Sequence, residues 1–282
     1  MHCAPAAFSL KCPPRRASLA PSDMDKWKFA ARHGGASLCG ITRLFFSRPG
    51  FALTLFLRRL RYFLTRRFEQ PLLTPEGFLM DTPDMLIAYW SMFVERELHA
   101  ADWARALAGT DKPLVADVGA NAGVFSLYAH SLNPHSEIIA FEPLPEMLRR
   151  IQSLKERTGM NLTCHAQAVS YSCGEAFFET AHGYDGTSRL STSTQPAANT
   201  FRVETTTLDT IFGNRKIDVM KIDVEGFECD VIAGGKTALA NTRFLIIEAQ
   251  TAEHLANITR ALGDGWTRKK LGAGDFLFTR RA

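Results

Sequence analysis

The sequence predicts an α/β fold: a mostly parallel sheet covered by helices on both faces, ended by a C-terminal antiparallel hairpin and preceded by an N-terminal helical arm. Three observations carry this. From residue 114 onward, short apolar runs alternate with longer stretches of helical periodicity. The turns between them are rich in Gly, Pro, Asn and Asp, and the last two strand-like runs are separated only by Gly272-Ala273-Gly274. Strands alternating with helices of about ten residues need right-handed crossovers and therefore a parallel sheet buried on both sides, whereas a short Gly-rich connection makes a hairpin.

Taken in order, residues 1–40 are rich in Ala, Pro, Ser and Gly and have no hydrophobic period. Too little apolar area is available to offset the entropy of ordering them, so a disordered tail is expected. Residues 1–22 are basic but lack the apolar core of a secretory signal; an organelle transit peptide and a translational start at Met24 both stay open. Residues 41–70 form a basic amphipathic arm. Within it Leu53, Phe56, Leu57, Leu60, Phe63, Leu64 and Phe68 recur at helical spacing, with Arg58, Arg59 and Arg66 on the other side and Pro49-Gly50 at the start. Either this apolar face packs on the body, or it lies on an anionic membrane surface or a partner.

Residues 71–282 read as one domain, with strands at 77–81 and 85–89 and a helix over 96–108. The parallel strands fall at 114–118, 137–141, 162–169, 217–222 and 244–248, with helices at 124–131, 145–158, 227–233 and 252–262 and the hairpin at 266–271 and 276–279. A Thr/Ser/Gly-rich excursion occupies 180–200.

Of the 282 residues, 46% are hydrophobic and 22% charged, as in an ordinary globular chain. The net charge of +4 hides an asymmetry: residues 1–70 carry 13 Lys and Arg against 3 Asp and Glu, leaving 20 against 26 for the rest. A basic arm of +10 on a body of −6 argues against a nucleic-acid substrate despite the pI near 8.8. The six cysteines show no CxxC and no zinc spacing, so reduced thiols and a cytoplasmic setting are expected, with no bridge between Cys164 and Cys173. The longest apolar run, 51–57, stops at Arg58-Arg59, far short of a membrane span.

In such sheets ligands bind beyond the carboxyl ends of the strands. The first such end is Asp117-Val-Gly-Ala-Asn-Ala-Gly123. Gly119 and Gly123 let a ligand approach the backbone, and the following helix start offers free N–H groups. The spacing is not GxGxxG, so the pyrophosphate fingerprint is absent. The next strand ends at Glu142-Pro143, where a carboxylate can accept both hydroxyls of a ribose. Together these features indicate an adenosine-type ligand without a pyrophosphate.

The segments Asp117–Gly123, Ala140-Phe-Glu-Pro-Leu-Pro145, Thr207-Leu-Asp-Thr210 and Lys221-Ile-Asp-Val-Glu-Gly226, in this order, resemble those of an FkbM-family methyltransferase over about residues 114–262. The resemblance implies the Rossmann-like class I methyltransferase fold with a seven-stranded sheet. It also implies S-adenosyl-L-methionine as methyl donor and a hydroxyl of a sugar, glycolipid or natural product as acceptor. By the same resemblance Asp117, Gly119, Asn121 and Gly123 lie under the methionine and ribose, Glu142 with Pro143 holds the ribose hydroxyls, Ala168 lies beside the adenine, and Asp223 faces the sulfonium and acceptor.

An alcohol acceptor must also lose a proton. On a strand Lys221 and Asp223 point one way, and Glu225 follows if the extended conformation continues; Asp223 is the first candidate base or orienting group and Glu225 the second, with Lys221 the third catalytic candidate. Glu248 would bring a third carboxylate, so Asp223, Glu225 and Glu248 could alternatively hold a divalent cation; no metal is assigned. Glu225 and Glu228 have the simpler reading of charges at a helix start. His182, Tyr184 and Asp185 are candidates for a loop over the acceptor, while His165 reads as a core residue. Two rival readings are an NAD(P)-dependent oxidoreductase and a non-catalytic cofactor-binding module. The sequence does not specify an oligomeric state.

Overall fold

The computed structural model describes residues 44, 46–65, 71–179, 189–191, 200–272 and 274–281. The tail 1–40, Phe68 and the candidate loop residues His182, Tyr184 and Asp185 lie outside them. Helix α1 (Pro49–Thr65) is followed by two-residue strands β1 (Leu72–Leu73) and β2 (Leu79–Met80), helix α2 (Pro83–Tyr89), a π-helical turn at Trp90–Glu95 and helix α3 (Ala101–Gly109). Residues 85–89, expected as a strand, are therefore helical. The Thr82 hydroxyl accepts the Met85 N–H at 3.3 Å and Pro83 occupies the first turn, a helix start that five consecutive apolar or aromatic residues conceal. The helix expected over 96–108 begins only at Ala101, because Arg96 adopts a left-handed conformation (φ 54°) that ends the preceding turn.

The next elements are β3 (Leu114–Val118), α4 (Val124–Leu132), β4 (Glu137–Phe141), α5 (Pro145–Thr158), β5 (Leu162–His165), β6 (Gln167–Val169), β7 (Gly174–Glu179), β8 (Arg189–Leu190) and β9 (Thr200–Thr206). They are followed by α6 (Leu208–Phe212), β10 (Ile217–Ile222), α7 (Glu228–Ala233), α8 (Lys236–Ala240), β11 (Thr242–Glu248), α9 (Ala252–Leu262), β12 (Trp266–Lys270) and β13 (Asp275–Arg280). Seven strands form the central sheet in the order β12-β13-β11-β10-β3-β4-β5, parallel except where β13 runs against both neighbours. A mostly parallel seven-stranded sheet is thus present as expected, with the hairpin at one edge.

The sheet separates two apolar layers. Val115, Ile138, Ala140, Val219 and Ile246 belong to one, and Ala116, Ile139, Phe141, Met220 and Ile247 to the other, so alternate residues of each strand fill opposite faces. All five residues of β3 are buried, as its central position requires.

The segment expected as one strand at 162–169 breaks at Ala166. Its second half joins a separate sheet of order β6-β9-β7-β8, which flanks the excursion. Cys164, Cys173 and Cys229 are free. In α1 the body contacts come from Phe51, Ala52, Leu55 and Arg59, while Leu53, Phe56, Leu57, Leu60 and Leu64 face outward. The predicted apolar stripe is thus not the packed face. No described helix is long and apolar enough to cross a membrane.

Candidate functional site

A cleft enclosing about 730 Å³, its open mouth included, lies at the carboxyl edge of β3, β4 and β10. Its lining includes Gly119, Asn121, Glu142, Pro143, Ala168, Asp223 and Glu225, so seven residues named from the sequence meet there. Asp117 and Lys221 are not in the lining; both are buried, on paired positions of β3 and β10. Gly123 turns the other way. A side chain there would meet Leu154 and Ile151 of α5, so it serves the packing of α4 on α5.

The loop after β3 is shaped by two close backbone approaches. Gly119 has φ +79°, and a Cβ on it would stand 1.9 Å from the carbonyl oxygen of Asp223. The loop after β10 can therefore reach the cleft floor only because residue 119 has no side chain. Asn121 (φ 49°) donates its N–H to Glu142 Oε2 at 2.9 Å, and the Leu144 N–H reaches Oε1 at 2.8 Å. The Glu142 carboxylate is thus held by both oxygens yet keeps further acceptor sites. Burial pushes it up to about 7, against the pull of those two N–H groups. The Asn121 side-chain oxygen is buried with no hydrogen-bond partner among the described residues.

A chain of charges runs beneath and beside the cleft. Asp117 accepts a 2.6 Å hydrogen bond from Ser126, and its burial holds its carboxyl above the usual range. Lys221 Nζ lies 2.8 Å from Asp223 Oδ2. Burial works against the Lys221 charge, but Asp223 and Asp117 outweigh it and hold the ammonium above its ordinary range. Lys221 is therefore a fixed cation and not a proton acceptor.

Around Asp223 the carboxylates converge. Oxygens of Asp223, Glu225 and Glu248 all lie within 4.8 Å of one another, a spacing at which a divalent cation could be shared. Glu225, at φ 55°, accepts from Gln250 Nε2 at 2.7 Å. Glu228 accepts the Val224 and Gly226 N–H groups and so shapes the loop that leads into α7. Glu248 Oε2 is buried without a hydrogen-bond partner among the described residues. Burial, then Asp223 and Glu225, pushes Glu248 up to about 8. Asp275, opposite it on β13, is pushed up to about 7 by burial and by Glu97.

These raised carboxyls have a measurable consequence. The folded chain keeps protons on Glu142, Asp275 and Glu248 that the unfolded chain releases near the ordinary range, so the native state binds more protons and its stability falls as pH rises through about 4 to 8. Thermal unfolding of ligand-free protein should occur at a lower temperature at about pH 9 than at about pH 5, and Glu248→Gln should flatten that slope. An unchanged slope in the variant would show that Glu248 ionises normally.

Sequence reasoning missed Asp275 and Glu97. It also missed the apolar wall residues Phe178 and Leu190, which come from β7 and β8 of the small sheet, and Met147 from α5. Asp275 was legible in principle: in an antiparallel strand the first residue, not the last, lands on the ligand edge.

Residues 117–264, just over half the chain, match the Methyltransferase FkbM domain. The chain belongs to the FkbM methyltransferase family. Its relatives include the hexuronic acid methyltransferase AglP of Haloferax volcanii, 26% identical over 152 residues, which are 52% of this chain and 60% of that protein. Another is the 2-O-methyltransferase NoeI of Sinorhizobium fredii, 31% identical over 161 residues, 50% of this chain and 65% of that protein. The match therefore spans less than two thirds of either relative. Among solved structures, the precorrin-6y C5,15-methyltransferase of Geobacter metallireducens overlays with a TM-score of 0.39 at 18% identity, over 64% of this chain and 86% of that one. Glu97 and Asp275 lie outside the stretch matched to the FkbM domain.

Proposed function

We propose that this chain transfers a methyl group from S-adenosyl-L-methionine to a hydroxyl oxygen of a sugar-containing or natural-product acceptor. The observation that carries the reading is the charge of the cleft: its described lining holds three carboxylates, Glu142, Asp223 and Glu225, and no Lys or Arg. Such a cleft suits a cationic ligand with free ribose hydroxyls and repels a pyrophosphate. It therefore disfavours the NAD(P)-dependent oxidoreductase. The name of one relative, a 2-O-methyltransferase, supports a hydroxyl acceptor, and that of the other, a hexuronic acid methyltransferase, supports a sugar-containing one.

Bound S-adenosyl-L-methionine supplies an electrophilic methyl group on a sulfonium. The residues present fit it: Glu142, held by the Asn121 and Leu144 N–H groups, accepts the ribose hydroxyls, and the orphaned Asn121 oxygen is available to a donor. Phe141, Ala168, Val169, Phe178 and Leu190 offer an apolar wall for the base. Gly119 keeps the floor bare. Asp223 orients the acceptor hydroxyl and takes its proton at a carboxylate oxygen, with Lys221 stabilising the charged form and Glu248 close enough to share the proton. Alignment and exclusion of water then supply most of the acceleration.

The reading is tested by calorimetric titration with S-adenosyl-L-methionine, S-adenosylhomocysteine and NADPH, followed by transfer of labelled methyl into sugar acceptors. Micromolar binding of the first two and none of the third is expected. Binding without any methyl transfer would favour the non-catalytic module, and no binding of either sulfur compound would end the proposal. Loss of transfer in EDTA with recovery on adding Mg²⁺ would move Asp223, Glu225 and Glu248 from proton transfer to cation binding.

A further inference from the structure

We propose that α1 docks this protein on an anionic lipid surface, lying in the plane of the bilayer interface. Of the nine large apolar side chains exposed among the described residues, six (Phe46, Leu53, Phe56, Leu57, Leu60 and Leu64) belong to residues 46–64. The five on α1 fall at i, i+3, i+4, i+7 and i+11, which makes one continuous stripe, with exposures from 40% for Phe56 to 70% for Leu64. Seventeen residues make a helix about 25 Å long, too short and too one-sided to span a bilayer yet suited to lying on one.

The opposite face is firmly held, so this stripe is not the outer side of a loosely attached segment. Leu55 and Ala52 are buried, and Phe51 packs edge-on against Tyr89 at 6.2 Å between ring centres. The Arg59 guanidinium stands 4.2 Å over the Trp90 ring and 3.6 Å from Glu95, and Arg48 pairs with Glu76 at 2.7 Å. Exposing a contiguous apolar stripe on a rigid face is costly to solubility unless something covers it.

Charge selects the occupant. Between Asp25 and Glu69 the chain carries ten Lys and Arg and no acidic residue. Two copies of this arm set face to face would bring like charges together, which disfavours self-association through the stripe. A bilayer of anionic lipid offers the complement on both counts, acyl chains for the Leu and Phe side chains and headgroup phosphates for the basic flank that includes Arg58 and Arg61.

The test is co-sedimentation of the full chain with phosphatidylcholine vesicles, with and without about 30 mol% phosphatidylglycerol. Binding to the anionic vesicles is expected, weakened at high salt and reduced at least about tenfold in the double variant Leu57→Glu, Leu60→Glu, whose unfolding temperature should stay near that of the parent because both positions are exposed. No binding by the parent chain, or equal binding by the variant, overturns the proposal. So does a parent that is dimeric in solution while the variant is monomeric, which would make a second copy the occupant.

Discussion

Gly119→Ala is expected to lose cofactor binding and to destabilise the fold by on the order of 3 kcal/mol. The left-handed φ of +79° costs an alanine about 1–2 kcal/mol, and displacing the Asp223 carbonyl, only 1.9 Å from the new Cβ, adds about 1–3 kcal/mol because backbone cannot swing aside as a side-chain tip can. The displaced loop carries Asp223 and Glu225, so the damage reaches the cleft directly. Gly159→Ala separates the two terms: φ is +68° there, in the left-handed region, but nothing lies within 4 Å of the new Cβ, so only the conformational cost of about 1–2 kcal/mol should appear. Urea unfolding of both variants, with calorimetric titration of S-adenosyl-L-methionine, measures the difference. Equal stability losses in the two would mean that the close approach at residue 119 carries no energetic weight.

That contact also shows what a sequence can disclose about this kind of site. Asp117, Gly119, Asn121 and Glu142 were legible because each ends or follows a parallel strand, and the strand-to-helix alternation tells where parallel strands end. The order of strands in the sheet was not written in periodicity. The structure supplies it, in the pairings of β3 with both β4 and β10. The role of Lys221 was hidden for a different reason. As a member of a Lys-Ile-Asp-Val-Glu run it looked like a participant in proton transfer, and only the carboxylates of Asp117, Asp223 and Asp275, drawn from three strand ends, make it a fixed counter-ion.

The missed elements follow one rule. Residues 200–206 alternate and are rich in Thr, Val and Phe, which favours a strand, yet they adjoin a Thr/Ser/Gly-rich stretch that masks the pattern. The strand at 174–179 was lost in the same way, and with it Phe178 of the cleft wall. The stripe on α1 was seen, but hydrophobic periodicity measures only how one-sided a helix is, and does not say which side the body holds. Here Phe51, Ala52 and Leu55, with the Arg59 stack on Trp90, won the packed side. The larger apolar face was left outside.

Asp223→Asn is expected to lower turnover about 10²–10⁴-fold while leaving cofactor affinity within a few fold. The amide keeps the shape of the side chain and can still orient a hydroxyl, but it cannot take the proton. Lys221, now 2.8 Å from a neutral group, keeps Asp117, its neighbour on β3, so the fold should survive. Glu225→Gln is the informative comparison: Glu225 lines the same cleft but is engaged by Gln250 at 2.7 Å, so its loss should cost turnover far less. Steady-state methyl transfer and calorimetric titration on both variants separate the roles. If affinity collapses in Asp223→Asn while turnover at saturation holds, Asp223 belongs to binding. Were Asp223→Asn, Glu225→Gln and Glu248→Gln to lose turnover equally, and Mg²⁺ to restore part of it in each, the three carboxylates would act as one cation site, because a shared ion depends on every ligand whereas a proton needs only one acceptor.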